Sequence, residues 1–173
     1  MSLIVEDGTA KVDSESYISV ADADTYHSNL GNASWATLTT TVKEQLLRKA
    51  TNYMVQTYRM RWAGVRKTDD QALDWPRYLV PRLDTEAVYA YYDSDSVPGE
   101  VKVACAELAL KANSMTLAPD TDRLTKREKI GQLEVEYDTN SGKAYKMYRA
   151  IDNLLMPMLD FGETGAMAKL DRA

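Results

Sequence analysis

Two long stretches repeat their apolar residues at helical spacing. In the first, Val42, Leu46, Ala50, Tyr53, Met54 and Thr57 form one stripe that runs through Tyr58. Lys43, Glu44, Lys49 and Gln56 fall largely outside it. Thr41 and Glu44 stand at capping-box spacing, and Gly64 ends the region. In the second, Pro98 suits a first helical position, and Val101, Ala104, Cys105, Leu108 and Ala112 carry the stripe. Asn113-Ser114 and Pro119 stop it. A shorter helix opens at Ser19, a side chain suited to capping, with Asp22 and Asp24 in its first turns. Val20, Ala23, Tyr26 and Leu30 mark its face, and Gly31-Asn32 breaks it. A last helix spans about 144–158, with Tyr148, Ile151, Leu154, Leu155 and Met158 on its buried side and Pro157 limiting its length.

The intervals read differently. Residues 1–18 look extended, with a turn at Glu6-Asp7-Gly8-Thr9. Val65 to Arg77 is polar; a short helical turn is expected before Trp75, and Pro76 pushes Trp75 out of helix. Residues 78–96 are irregular, with Tyr89, Tyr91 and Tyr92 among acidic residues. Near 126–138 the period changes to two: Leu133, Val135 and Tyr137 alternate with Glu134, Glu136 and Asp138. Gly131-Gln132 can turn a hairpin between 126–130 and 133–138. An isolated two-stranded ribbon is marginal in water, so it must pack on the helices or pair with a neighbouring copy. The predicted fold is mainly α, a helical bundle with a small β-hairpin and an extended C-terminal arm. Residues 1–159 form the helical domain; 160–173, with Gly162, Gly165 and few large apolar residues, form an exposed, flexible arm.

Composition narrows the function more by exclusion than by pointing. No apolar run approaches a membrane span, and MSLIVEDG has neither a positive n-region nor a long apolar core, so no secretory signal is expected. The formal charge is -5, from 21 basic and 26 acidic residues. A chain built mainly to grip phosphates usually shows the opposite balance. Tyrosine is abundant, 11 against 1 Phe; it suits interfaces, and equally the rim of a small core.

One histidine and one cysteine give no specific nucleophilic constellation. His27 reads as a solvent-facing or helix-end residue, and Cys105 as a small core residue. The acidic pairs Asp22/Asp24, Asp69/Asp70 and Asp93/Asp95 match no EF-hand loop and read as solvated; there is no Walker A or G-x-G-x-x-G loop. No catalytic residue, metal site or cofactor is therefore expected. Two basic clusters are candidates for contact with nucleic acid. Arg59, Arg61, Arg66 and Lys67 with Trp62 have the composition of a stacking platform for single-stranded nucleic acid. The same residues suit a helix end where Trp62 packs inward and arginines cover the dipole, which is the favoured reading. Lys126, Arg127 and Lys129 could meet a DNA backbone; Glu128, Glu134 and Glu136 dilute that field, favouring a charged strand that resists edge pairing.

Four segments in order, SYISVADADTYHS, KATNYMVQTYRMRWAG, QALDWPR and VPGEVKVACAELALKA, followed by KREKIGQLEVEY and the helix around Tyr148–Leu159, cover most of the chain. Together they resemble tailed-bacteriophage proteins of the neck, of head-completion type. Such sequences are often described as DnaT-like single-stranded-DNA-binding proteins, and they are similar to head-to-tail adaptors that attach to a portal ring. The resemblance implies a structural protein, made in the host cytoplasm, that sits in the virion neck as a dodecameric ring. Its partners would be the portal protein, the next tail or neck protein and copies of itself, with DNA passing through the channel without sequence-specific binding. It further implies a terminal arm that docks on the portal or a neighbour, here 160–173 with Phe161, Met167 and Leu170 as anchors. The alternative is a DnaT-like single-strand binder using Arg59, Arg61, Trp62, Arg66, Lys67, Lys126, Arg127 and Lys129.

Overall fold

The computed structural model describes residues 2–82, 84–85, 90–119, 127–130, 133–136 and 148–160, the two segments between 127 and 136 as backbone only. The described chain is mainly helical. Five α-helices run Val20–Asn29 (α1), Ala33–Ala36 (α2), Thr40–Tyr58 (α3), Gly99–Ser114 (α4) and Arg149–Leu155 (α5), the last continued by a 3-10 turn at Met156–Met158. Two antiparallel ribbons join them: Val65–Arg66 (β1) with Arg77–Tyr78 (β2), and Arg127–Ile130 (β3) with Leu133–Glu136 (β4).

α3 and α4 pack along each other and carry the centre of the core, with α1 and α5 against α4. Leu46, Ala50, Met54 and Tyr58 of α3 are buried, as are Val101, Ala104, Cys105 and Leu108 of α4, so both long stripes are the core faces that periodicity predicted. Leu47 and Ala106 widen those faces. Ala112 is only half-buried, because the stripe reaches the end of the helix. Cys105 lies wholly in the core, its thiol against the Thr51 hydroxyl at 3.3 Å, and burial pushes its pKa up. No helix among the described residues is long and apolar enough to cross a membrane.

Several expectations are corrected. α3 starts at Thr40 with Thr39 as cap, its side chain accepting from the Val42 N–H; in a run of three threonines the earliest that can cap takes the role. Lys43, placed outside the stripe, is buried: its ammonium meets Asp24 at 2.9 Å and lies over the Trp35 ring. The break at Gly31-Asn32 is followed at once by the one-turn α2, which brings Trp35 into the core. Leu30, assigned to the α1 face, is exposed, since it caps the helix end. No helical turn precedes Trp75; residues 67–76 are bends and irregular backbone. Residues 2–18 double back instead of extending: Glu6 donates its N–H to Ser16 and Glu15 to Ile4. The buried Glu6 carboxylate organises that loop by accepting from the backbone of Gly8, Ala10 and Lys11 and from the Ser14 hydroxyl. The described last helix begins at Arg149; its predicted start at 144 lies outside the described residues, as do the hairpin's Gly131-Gln132 turn and the arm beyond Asp160.

Candidate nucleic-acid interface

The basic-aromatic stretch begins where α3 ends. After Tyr58 the chain turns through Arg59–Gly64 into β1, and β2 returns beside it with Val65 opposite Tyr78. Gly64 makes this turn at φ 67°, and a Cβ there would lie 2.1 Å from the Tyr78 carbonyl oxygen, so the close return of β2 requires glycine. On the other side, Ala63 donates to the Met158 carbonyl at 3.0 Å and Asp160 donates to Arg61 at 2.6 Å, tying the chain after α5 to the same turn.

Trp62 is 5% exposed. Its ring meets Trp75 edge-on at 5.6 Å and Tyr58 at 5.8 Å, and Trp75 in turn meets Tyr92 at 6.2 Å. A base cannot stack on a ring already covered on this scale. The packing reading of Trp62 therefore holds in the structure. The indole N–H groups of Trp62 and Trp75, and one oxygen of the buried Asp74, have no hydrogen-bond partner among the described residues.

The cations around Trp62 are also engaged. Arg59 Nε donates to Asp74 Oδ1 at 2.8 Å, against a carboxylate that is fully buried. Arg61 lies over the Tyr58 ring and within 3.8 Å of Asp152, which also accepts from the Tyr58 hydroxyl at 2.7 Å. Burial first, and the Asp152 carboxylate second, hold the Tyr58 phenol well above its ordinary pKa. Arg66 donates to the backbone carbonyls of Thr68 and Asp69. Lys67 donates to Asp95 and to the Gly8 carbonyl, and the Asp95 contact raises its pKa. These pairs fix side chains; they do not abolish their charge. Arg59 and Arg61 remain nearly half exposed and could still reach a phosphate at their outer edge.

Sequence reasoning missed the residue that builds this turn. Arg77 is buried and donates to three successive carbonyls, those of Trp62 (3.5 Å), Ala63 (2.8 Å) and Gly64 (2.8 Å), and to that of Asp74 (3.2 Å). Burial lowers its pKa, but an arginine stays charged in any ordinary medium. Gln71 does the same for the opposite loop, accepting from the Thr68 N–H and donating to the carbonyls of Leu73 and Pro76, across a cis Trp75-Pro76 bond. The one available signal was two long polar side chains bracketing a Trp-Pro pair. Of the second basic cluster, Arg127 and Lys129 stand on β3, opposite Glu136 and Glu134, while Lys126 lies outside the described residues. The structure does not bring the two clusters together through any described contact. The anchors Phe161, Met167 and Leu170 also lie outside the described residues.

His27 is not at the surface. It is 1% exposed, and its ring packs on Trp35 at 4.6 Å. Nε2 faces the Ala106 carbonyl at 3.1 Å, which can only accept, so Nε2 carries the proton and Nδ1 accepts from the Asn32 amide at 3.0 Å. Burial lowers its pKa, and the ring is neutral. It borders an open cavity of about 440 Å³ with Asp24, Asn32, Trp35 and Lys43. Among the described residues no three His, Cys, Asp or Glu side chains gather in a metal-binding group. Asp22 bonds the Ser19 cap, Asp24 accepts from the Trp35 indole at 2.7 Å, and Asp93 accepts from the Asp95 backbone.

These features define a mainly helical protein in which the basic-aromatic stretch after α3 is built into the packing of its own core. The chain belongs to the family described as "Putative DnaT-like ssDNA binding protein", whose model matches residues 1–173. No curated protein and no solved structure matches it.

Proposed function

We propose that the chain is a non-catalytic binding protein that serves as a structural adaptor of a phage neck, forming a ring under the portal that joins head and tail. What supports this reading over a single-strand binder is the state of the basic-aromatic stretch: Trp62 is covered by Trp75 and Tyr58, and each neighbouring cation bonds an internal acceptor. A net charge of -5 points the same way, because an acidic channel lining lets DNA slide past without capture. The neck itself enters through the resemblance of the four ordered segments. The partners are then the portal, the next neck or tail protein and further copies of the chain.

A second reading, binding of single-stranded DNA, is carried by the description of the family to which the chain belongs, which speaks for DNA and is silent on a phage neck. The half-exposed edges of Arg59 and Arg61 are its best remaining contacts. One experiment separates the two. The mass of the purified protein is measured alone, with its portal, and with a labelled single-stranded oligonucleotide at several salt concentrations. A portal-bound ring that leaves the oligonucleotide free supports the adaptor. Oligonucleotide binding that weakens steeply with salt, without a portal complex, refutes it and establishes the second reading.

A further inference from the structure

The β3–β4 ribbon has two outer edges, and among the described residues neither pairs with another strand. Such an edge is a template for a further strand. The register sets Ile130 opposite Leu133, Lys129 opposite Glu134, Glu128 opposite Val135 and Arg127 opposite Glu136. Two residues separate Ile130 from Leu133, and a hairpin that tight closes on a hydrogen-bonded pair. Hydrogen bonds within the ribbon therefore use Ile130 with Leu133 and Glu128 with Val135. The alternate positions turn their backbone N–H and C=O groups outward. On the β3 edge these are Arg127 and Lys129; on the β4 edge they are Glu134 and Glu136. All outward basic positions lie on one edge and all outward acidic positions on the other.

This segregation selects among the ways two copies can meet. Two β3 edges set cation opposite cation, and two β4 edges set carboxylate opposite carboxylate; like charges directly opposite destabilise a strand pair. A β3 edge against the β4 edge of a second copy sets Arg127 and Lys129 opposite Glu134 and Glu136, in hydrogen-bonding phase. It also keeps 128, 130, 133 and 135 on one continuous face. We propose that the chain self-assembles in this way, the β3 edge of one copy pairing antiparallel with the β4 edge of the next. Charges that block like edges thus leave one complementary contact open. All copies then point the same way, and each contact leaves one free edge of each kind. The association is head-to-tail, and it closes as a ring if the rotation per copy permits. This deepens the ring of the adaptor reading and rests on that reading only for the ring's place in a virion.

The test is the solution mass of full-length protein, without portal or DNA, over a range of concentrations. Wild type associates. The fourfold swap R127E/K129E/E134K/E136K keeps opposite charges across its own ribbon and associates with itself like wild type. When one of the two proteins carries a fluorescent label, swap and wild type associate with each other about tenfold or more weakly than each does with itself, because every mixed contact sets like charges opposite. A wild type that stays monomeric throughout, a swap that does not associate with itself, or a swap that mixes with wild type as freely as with itself overturns the proposal. Association that follows the charge pattern, in a protein that forms no complex with its portal, upholds this contact and sinks the adaptor reading alone.

Discussion

Replacing Trp62 with alanine separates a core residue from a stacking platform. The ring is 5% exposed and meets two aromatic neighbours, Trp75 at 5.6 Å and Tyr58 at 5.8 Å. Its indole N–H has no partner among the described residues, so the substitution removes apolar contact and leaves no new orphan polar group. Truncation of a buried Trp costs about 3–5 kcal/mol. The two ring pairs, at roughly 0.5–1.5 kcal/mol each, lie within that sum. Trp62→Phe keeps a ring between Tyr58 and Trp75 and should cost about half as much, on the order of 2 kcal/mol. Urea unfolding followed by far-ultraviolet circular dichroism reads both variants, with the slope checked against wild type so that the midpoint shift reports stability. A loss under about 1 kcal/mol for Trp62→Ala, together with lost affinity for a single-stranded oligonucleotide, would refute the packing argument.

Four further outcomes follow from the same structure. Leu108→Ala, at a wholly buried position of α4, should cost on the order of 2–5 kcal/mol in the same unfolding assay, and near-zero cost would contradict the α3–α4 core. Gly64→Ala should lose at least about 2 kcal/mol, since φ is 67° and the new Cβ meets the Tyr78 carbonyl; a neutral result would mean that β2 does not return there. Cys105, buried and with its thiol pKa raised, should react with an aromatic disulfide reagent only as fast as the protein opens, so rapid labelling of the native protein would contradict its placement. His27 has a folded pKa below its unfolded value, so the unfolded state binds the extra proton first. Stability is therefore full above about pH 6.5 and falls as pH drops below it. His27→Gln should flatten that part of the stability profile, and an unchanged slope would show that another group titrates.

The sequence yields its long helices because their signal is local. Four core positions within each stripe are read from spacing alone, and the α3–α4 contact then follows from burying both faces. The hairpin is legible for the same reason: its period of two changes nothing but the residues next to one another, and its observed register matches the predicted turn. What escapes depends on residues far apart in the chain. His27 is buried by the Ala106 carbonyl of α4 and by Trp35 of a helix only one turn long, too short to show a period. Lys43 joins the core because Asp24 and Trp35 meet it there. Neither could be inferred from its own neighbourhood.

The candidate site shows the same limit more sharply. Composition identifies Arg59, Arg61, Trp62, Arg66 and Lys67 as a group, and composition is identical for a platform and for a turn held by its own charges. The difference lies in their partners: Asp74, Asp152, Asp95 and the carbonyls of 68 and 69. Asp74 and Asp95 lie in loops with no periodicity of their own, and the reach of Arg77 across the carbonyls of 62–64 is set by the return of β2. A carboxylate that holds an arginine lowers what that arginine can offer a phosphate, since the incoming group must share it or displace the first partner. Charge counted along a sequence therefore sets an upper bound on phosphate affinity, and the internal acceptors found beside each cation decide how much of it remains.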